Sequence, residues 1–293
     1  MKKNAFIGLL LLWVLAFISC NNENNIPTKV DTNFDKIGEI HNAGLDYILE
    51  NLHIDKVISR SSASSEVHEI SAVIYAQVNE LSSQYITQLI AEEDTDVQDA
   101  FRQYGGESKL LSDIVAIDNS SLEVDDAAKV LSKEANIYLS QYLRLVDSQY
   151  DSDADFQNKL RAIGSLITEK FTTVEEQMIL LPVTSVGEYS FQYWNENAWK
   201  WYAKFGTYGY EMKSQVRSKI WKSDVAGGAV AGLHLWFSGT GAALAATGPS
   251  GWTAIGMIIA GKSLQASACA LLVSIWSDQG KIATRTEKQF QVY

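Results

Sequence analysis

VAGGAVAGLHLWFSGTGAALAATGPSGWTAIGMIIAG, residues 225–261, has no formally charged side chain in 37 positions and holds nine of the 19 glycines. Beyond it, Lys262 is the only charged side chain before Asp278. Gly-Pro-Ser-Gly, residues 248–251, is a strong turn signal that splits the apolar stretch into two arms, 225–247 and 252–276. Neither arm alternates with period two, so both read as helices paired in a hairpin, and the fold class is mainly α. At 1.5 Å per residue a 23-residue first arm would be about 34 Å long, close to the hydrocarbon thickness of a bilayer. Length therefore admits two placements, the buried centre of a helical bundle or a pair of helices in lipid, and the sequence leaves both open. Gly228-x-x-x-Gly232 and Gly241-x-x-x-Ala245, with Gly256 and Gly261 in the second arm, provide small-residue faces on which helices approach closely.

GMIIAGKS, residues 256–263, fits the phosphate-loop pattern G-x-x-x-x-G-K-[ST] letter for letter. That chemistry needs a strand before the loop, a helix after it, and an acidic residue on another strand for magnesium. Here Met257, Ile258, Ile259 and Ala260 fill the variable positions, only 30 residues follow Ser263, and the upstream body reads as helical. The octet is expected to lie inside the second arm as a chance match, with Lys262 extending its stem along apolar surface toward a polar edge. Neither nucleotide nor any other cofactor is expected.

Working toward the N-terminus, charge divides the chain. Residues 21–224 hold 18 basic and 33 acidic side chains, whereas residues 225–293 hold four and two. The whole chain has a formal net charge of −11, which makes nucleic acid an unsuitable partner. Apolar residues recur at three or four positions along Phe34, Ile37, His41, Leu45, Ile48 and Leu52, with Asp31, Thr32 or Asn33 as the cap. The same spacing continues through Val67, Ile70, Ile74, Val78 or Leu81, Tyr85 and Leu89. Two further helices are expected from Val124, Ala128, Leu131, Ala135, Tyr138, Tyr142 and Leu145, and from Phe156, Leu160, Ile163 and Ile167. Another begins near Thr173, and Pro182 is expected to end it. Ten aromatic residues crowd 189–210, a cluster suited equally to a membrane interface and to a core.

The start of the chain is a different kind of signal. Lys2 and Lys3 precede an apolar run from Ala5 to Ile18, too short for an ordinary span, as in an export signal. Its end, Phe17-Ile18-Ser19-Cys20, resembles the lipobox of bacterial lipoproteins. The resemblance implies cleavage after residue 19 and lipid, such as palmitate, on Cys20. It also implies a cell-envelope location, anchored to the outer membrane and facing the periplasm or the surface. Some surface-exported Bacteroidetes lipoproteins carry several acids after the cysteine, whereas only Glu23 stands here. Lipidation would leave Cys269 as the one remaining thiol, expected to be a buried apolar residue. The division then reads 1–19 signal peptide, 20–30 tether, 31–224 acidic helical body, 225–277 hydrophobic hairpin and 278–293 polar tail.

IGEIHNAGLDYI (37–48), together with the Gly/Ala-rich C-terminal stretch, resembles a group of uncharacterised Bacteroidetes envelope proteins, a likeness that implies no activity. A charged helical body beside a hydrophobic hairpin is similar in architecture to colicin pore-forming domains and to glycine-rich bacteriocin-like peptides. Elsewhere the chemistry is sparse. DSDADF (151–156) begins like a calcium loop but has Phe156 and Ala162 where glycine and glutamate belong, so it reads as an acidic helix start. The histidines His41, His53, His68 and His234 show no metal-ligand spacing, and His41 on its apolar stripe reads as a satisfied core residue with Asn42 bonding a neighbouring turn. The expectation is a non-enzymatic envelope lipoprotein with no metal site. A membrane-active toxin is the alternative, and an adaptor for an envelope protein partner the third reading.

Overall fold

The computed structural model describes residues 35–53, 67–110, 131–148, 150–171, 173–205 and 214–290, and no strand occurs among them. The helices are α1 (Asp35–Asn51), α2 (Val67–Glu92), α3 (Thr95–Tyr104), α4 (Lys133–Asp147), α5 (Asp153–Lys170), α6 (Val174–Phe205), α7 (Ser214–Phe237), α8 (Thr240–Ala245) and α9 (Pro249–Phe290). A further turn of helix spans 106–110. The sequence-expected cap at Asp31 to Asn33, the start at Phe34, and Cys20 with its tether lie outside the described residues.

Side-chain chemistry sets several helix starts. Ser132 accepts from the amide of Ala135, Ser152 from that of Asp155, and Asp94 from that of Val97. Thr173 and Glu176 form a reciprocal capping pair, with the Glu176 amide donating to Thr173 Oγ1 and the Thr173 hydroxyl to Glu176 Oε2. Of the helix expected from Val124 onward, Val124 and Ala128 lie outside the described residues, and the rest is α4, which Ser132 caps one residue beyond Leu131. Residues 151–155 of DSDADF are the exposed start of α5, where Asp153 and Asp155 face the positive helix end, and Phe156 is buried.

Pro182 corrects the sequence reading. Helix α6 does not end there but runs for 32 residues through it. Proline has no N–H to offer the carbonyl of Met178, and that loss disfavours a helix interior. Every residue from Glu176 to Gly187 is buried, however, so packing on all sides of α6 outweighs the local cost.

Helix α9 is the axis of the molecule. It packs against α7, α2, α1, α6, α3 and α8. Its N-terminal half, Trp252 to Ala260, belongs to a core cluster with Ile37, Ile86, Ile90, Phe101 and Tyr104. Leu264, Ala268, Cys269, Leu271 and Leu272 belong to a second cluster with Leu45, Ile48, Ile74, Tyr142 and Trp194. One helix thereby threads both cores. The stretch Pro249–Leu272 is long and apolar enough to cross a membrane, by length and composition only, and 89% of its most apolar window is buried inside the bundle.

The hairpin forms with altered boundaries. Its first arm is α7, which starts at Ser214 and so crosses the charge boundary at 224/225 without a break. It ends at Phe237, before the expected 247. Gly239, at φ +74°, turns the chain into the short α8, and Gly248, at φ +77°, turns it again into α9. Such positive φ values suit glycine because they crowd any Cβ. Helix α9 then extends to Phe290, so the expected polar tail begins as a continuation of the helix.

Candidate functional site

The phosphate-loop look-alike is the interior of α9, not a loop. Residues 256–263 are helical throughout, which commits their amides to the helix ladder rather than to a phosphate cradle. Lys262 is buried and donates through Nζ to the carbonyl of Leu110, 3.0 Å away. The expected extension toward a polar edge is therefore corrected: the ammonium meets a backbone carbonyl inside the protein.

Around the octet, the glycines let helices touch. A Cβ on Gly256 would sit 2.5 Å from Ile37 Cδ1, one on Gly261 2.7 Å from Ile86 Cγ1, and one on Gly228 2.6 Å from Ser263 Oγ. Gly241 would meet the backbone of Leu235 at 3.2 Å. Gly232 differs, because its nearest neighbours, on Ile179 and Ile259, would lie at an ordinary 3.6 Å. Gly227, which the spacing argument missed, is among the tightest: its Cβ would fall 2.7 Å from Ala266 Cβ and 3.3 Å from the carbonyl oxygen of Lys262. Contacts of residues 227 and 228 with 262 to 266, and of 232 with 259, show that α7 and α9 run antiparallel.

A polar cluster lies where α1, α6 and α7 meet. Asp224 is fully buried; Trp194 Nε1 donates to its Oδ2 at 2.8 Å, and the Ser190 hydroxyl donates to the same oxygen. His41, also fully buried, places Nε2 3.0 Å from Asp224 Oδ1 and Nδ1 3.0 Å from Asn42 Oδ1. Asn42 in turn donates through Nδ2 to the carbonyl of Tyr189 at 3.0 Å. Bonds from the Gly38 amide to Ser185 Oγ, from Asn42 to Tyr189, and from Tyr193 to Asp46 recur one turn apart, so α1 and α6 run parallel in register. Trp201 Nε1 extends the network to Tyr193 Oη at 3.1 Å.

Serine, histidine and aspartate are all present, yet their order is not that of a nucleophilic relay. In a relay the imidazole stands between hydroxyl and carboxylate, taking the proton from one while the other orients it. Here Ser190 and His41 both attach to Asp224. The arrangement surrounds the buried Asp224 side chain with partners from two helices; it does not activate the hydroxyl. Of the aromatic crowd expected in 189–210, Phe191, Tyr193, Trp194, Trp201, Tyr202 and Phe205 are buried, Trp199 is 65% exposed, and Tyr208 and Tyr210 lie outside the described residues. Burial also pushes the Tyr193 phenol well above its ordinary range, opposed by the Trp201 bond and helped by Asp46 and Asp224.

Among the described residues no group of three or more His, Cys, Asp or Glu side chains is placed to hold a metal ion. His53 is exposed and His234 half-buried at the far end of α7. Cys269 is buried in the core. Along α2, Asn79 Oδ1, Ser83 Oγ and Thr87 Oγ1, each four residues from the next, are buried without a hydrogen-bond partner. With this geometry in hand, the class is a mainly α bundle threaded by one apolar helix. Comparison of the chain with protein-family profiles, curated proteins and solved structures found no match.

Proposed function

We propose that this protein is a non-enzymatic lipoprotein of a bacterial cell envelope, held to the membrane through lipid on Cys20, with its hairpin serving as the core of the helical body. The reading rests on the order of features in the first twenty residues: Lys2 and Lys3, the apolar run to Ile18, then Ser19-Cys20. Burial of the apolar window in α9 supports it, because a helix already enclosed by protein does not supply the attachment, and a lipid at the N-terminus does. The acidic body held beyond residue 30 would then face other envelope components as an adaptor. Cys20→Ala should abolish incorporation of labelled palmitate and move the protein from the membrane to the soluble fraction. Undiminished membrane retention of that variant would overturn the lipid as the principal anchor.

A second reading, a membrane-active protein that releases the hairpin into a bilayer, is favoured by one observation: Pro249–Leu272 has the length and composition of a span. Dye release from anionic vesicles by the Cys20→Ala protein tests it. Leakage would support that reading, and none from about pH 5 to about pH 8 would refute it.

A further inference from the structure

We infer that a single proton, shared between His41 Nε2 and Asp224 Oδ1, clasps the first arm of the hairpin to the rest of the body. The argument follows the donors. Asn42 Nδ2 faces the Tyr189 carbonyl, which only accepts, so Asn42 turns its Oδ1 toward the ring. That oxygen also only accepts, and His41 Nδ1 must therefore carry a hydrogen. On the far side of the carboxylate, the Trp194 indole only donates, so Asp224 Oδ2 accepts, as it does from Ser190. What remains is Nε2 facing Oδ1 at 3.0 Å. Without a hydrogen between them, two lone pairs would oppose each other in a site closed to water. One proton resolves this, whether drawn as imidazolium with carboxylate or as imidazole with carboxylic acid.

The clasp is strategically placed. His41 is on α1, Ser190 and Trp194 on α6, and Asp224 on α7, so the bond ties the hairpin's first arm to two helices of the body. Tyr193, Glu188 and Lys262, on helices packed around the pair, have partners of their own. Tyr193 of α6 donates to Asp46 of α1 at 2.9 Å, Glu188 of α6 pairs with Arg161 of α5, and Lys262 of α9 donates to the Leu110 carbonyl. Removing the shared proton sets lone pair against lone pair. Adding another forces a donor onto an oxygen that already receives two. The clasp therefore requires one proton between the pair, neither fewer nor more.

Asp224→Asn isolates the proton. An asparagine can donate through Nδ2 to a neutral His41 Nε2 and accept from Ser190 and Trp194 through Oδ1, so the hydrogen bonds survive while the shared proton does not. Nitrogen NMR of the folded variant should therefore show a bare His41 Nε2, where the wild type shows none. A variant His41 ring indistinguishable from the wild-type ring would overturn the inference. Independently of whether the variant folds, nitrogen NMR of the full-length protein in detergent, assigned against His41→Gln, should show both His41 ring nitrogens bonded to or sharing hydrogen at neutral pH. One bare nitrogen on the folded wild type would also overturn it.

Discussion

At the scale of single residues the glycines of the hairpin are not equivalent, and their differences are measurable. Gly232 lies in a helix interior with ordinary space around it, so Gly232→Ala should stabilise the protein by about 0.5–1 kcal/mol by removing the conformational cost of glycine. Gly227→Ala drives a methyl against Ala266 Cβ, which cannot swing aside, and should destabilise by about 1–3 kcal/mol. Chemical denaturation of both variants checks the ordering, and equal effects would show that α7 and α9 do not meet at Gly227. The small-residue spacing in the sequence pointed to Gly228, Gly256 and Gly261, which do abut neighbouring side chains, but it ranked Gly232 with them and passed over Gly227. Spacing along one helix is blind to the register of its partner, and register decides which glycine meets Ala266. The clasp shows the same limit: His41 read as a satisfied core residue because it lies on an apolar stripe. Its partner Asp224, 183 residues away, was marked in the sequence only as the last charge before the uncharged stretch. No local pattern links residues so far apart.

Among the elements, α6 departs furthest from its sequence signals. The prolyl ring at position 182 was read as a stop, and it would be one in a helix with a solvent face. Surrounded by α1, α5, α7 and α9, the segment stays helical. Pro182→Ala restores an N–H for the Met178 carbonyl and should raise stability by up to about 3 kcal/mol, less whatever packing the smaller side chain gives up. A loss of stability in thermal denaturation would mean that the ring's contacts outweigh the backbone cost. The hairpin boundaries failed for a related reason. Charge ends at Asp224, but Ile220, Trp221 and Val225 are all buried on the same continuous helix, so the helix ignores the change in composition. The Gly-Pro-Ser-Gly turn was legible, since Gly248 adopts the left-handed conformation and Pro249 opens α9. Gly239 also breaks the chain, and nothing distinguished it in advance from the helical glycines around it.

For the whole molecule, the mainly α class was legible from the spacing of apolar residues, whereas the choice between a core and a bilayer for the hairpin was not, because apolar side chains satisfy both solvents. Packing of α9 by six other helices decides where it lies in this fold. Such enclosure has consequences for titration. Burial first, then Glu188, drives the Tyr142 phenol far above its usual range, and burial with smaller effects from Glu92 and Asp46 pushes Tyr85 up to about 12. A raised phenol favours the folded state fully below about pH 10, the unfolded value, and that contribution is lost as pH climbs through the raised one. In alkali, tyrosinate absorbance from Tyr142 and Tyr193 should therefore appear together with loss of helical circular dichroism. Complete ionisation near pH 10, about the ordinary value, with the helices intact would contradict their enclosure. The most direct test of the central claim, that α9 is the internal axis of a folded body, is the reactivity of Cys269 toward a water-soluble maleimide in the Cys20→Ala protein. Cys269 is 2% exposed, so labelling should proceed only as fast as the protein unfolds and become rapid in denaturant. Prompt, complete labelling in native buffer would contradict it.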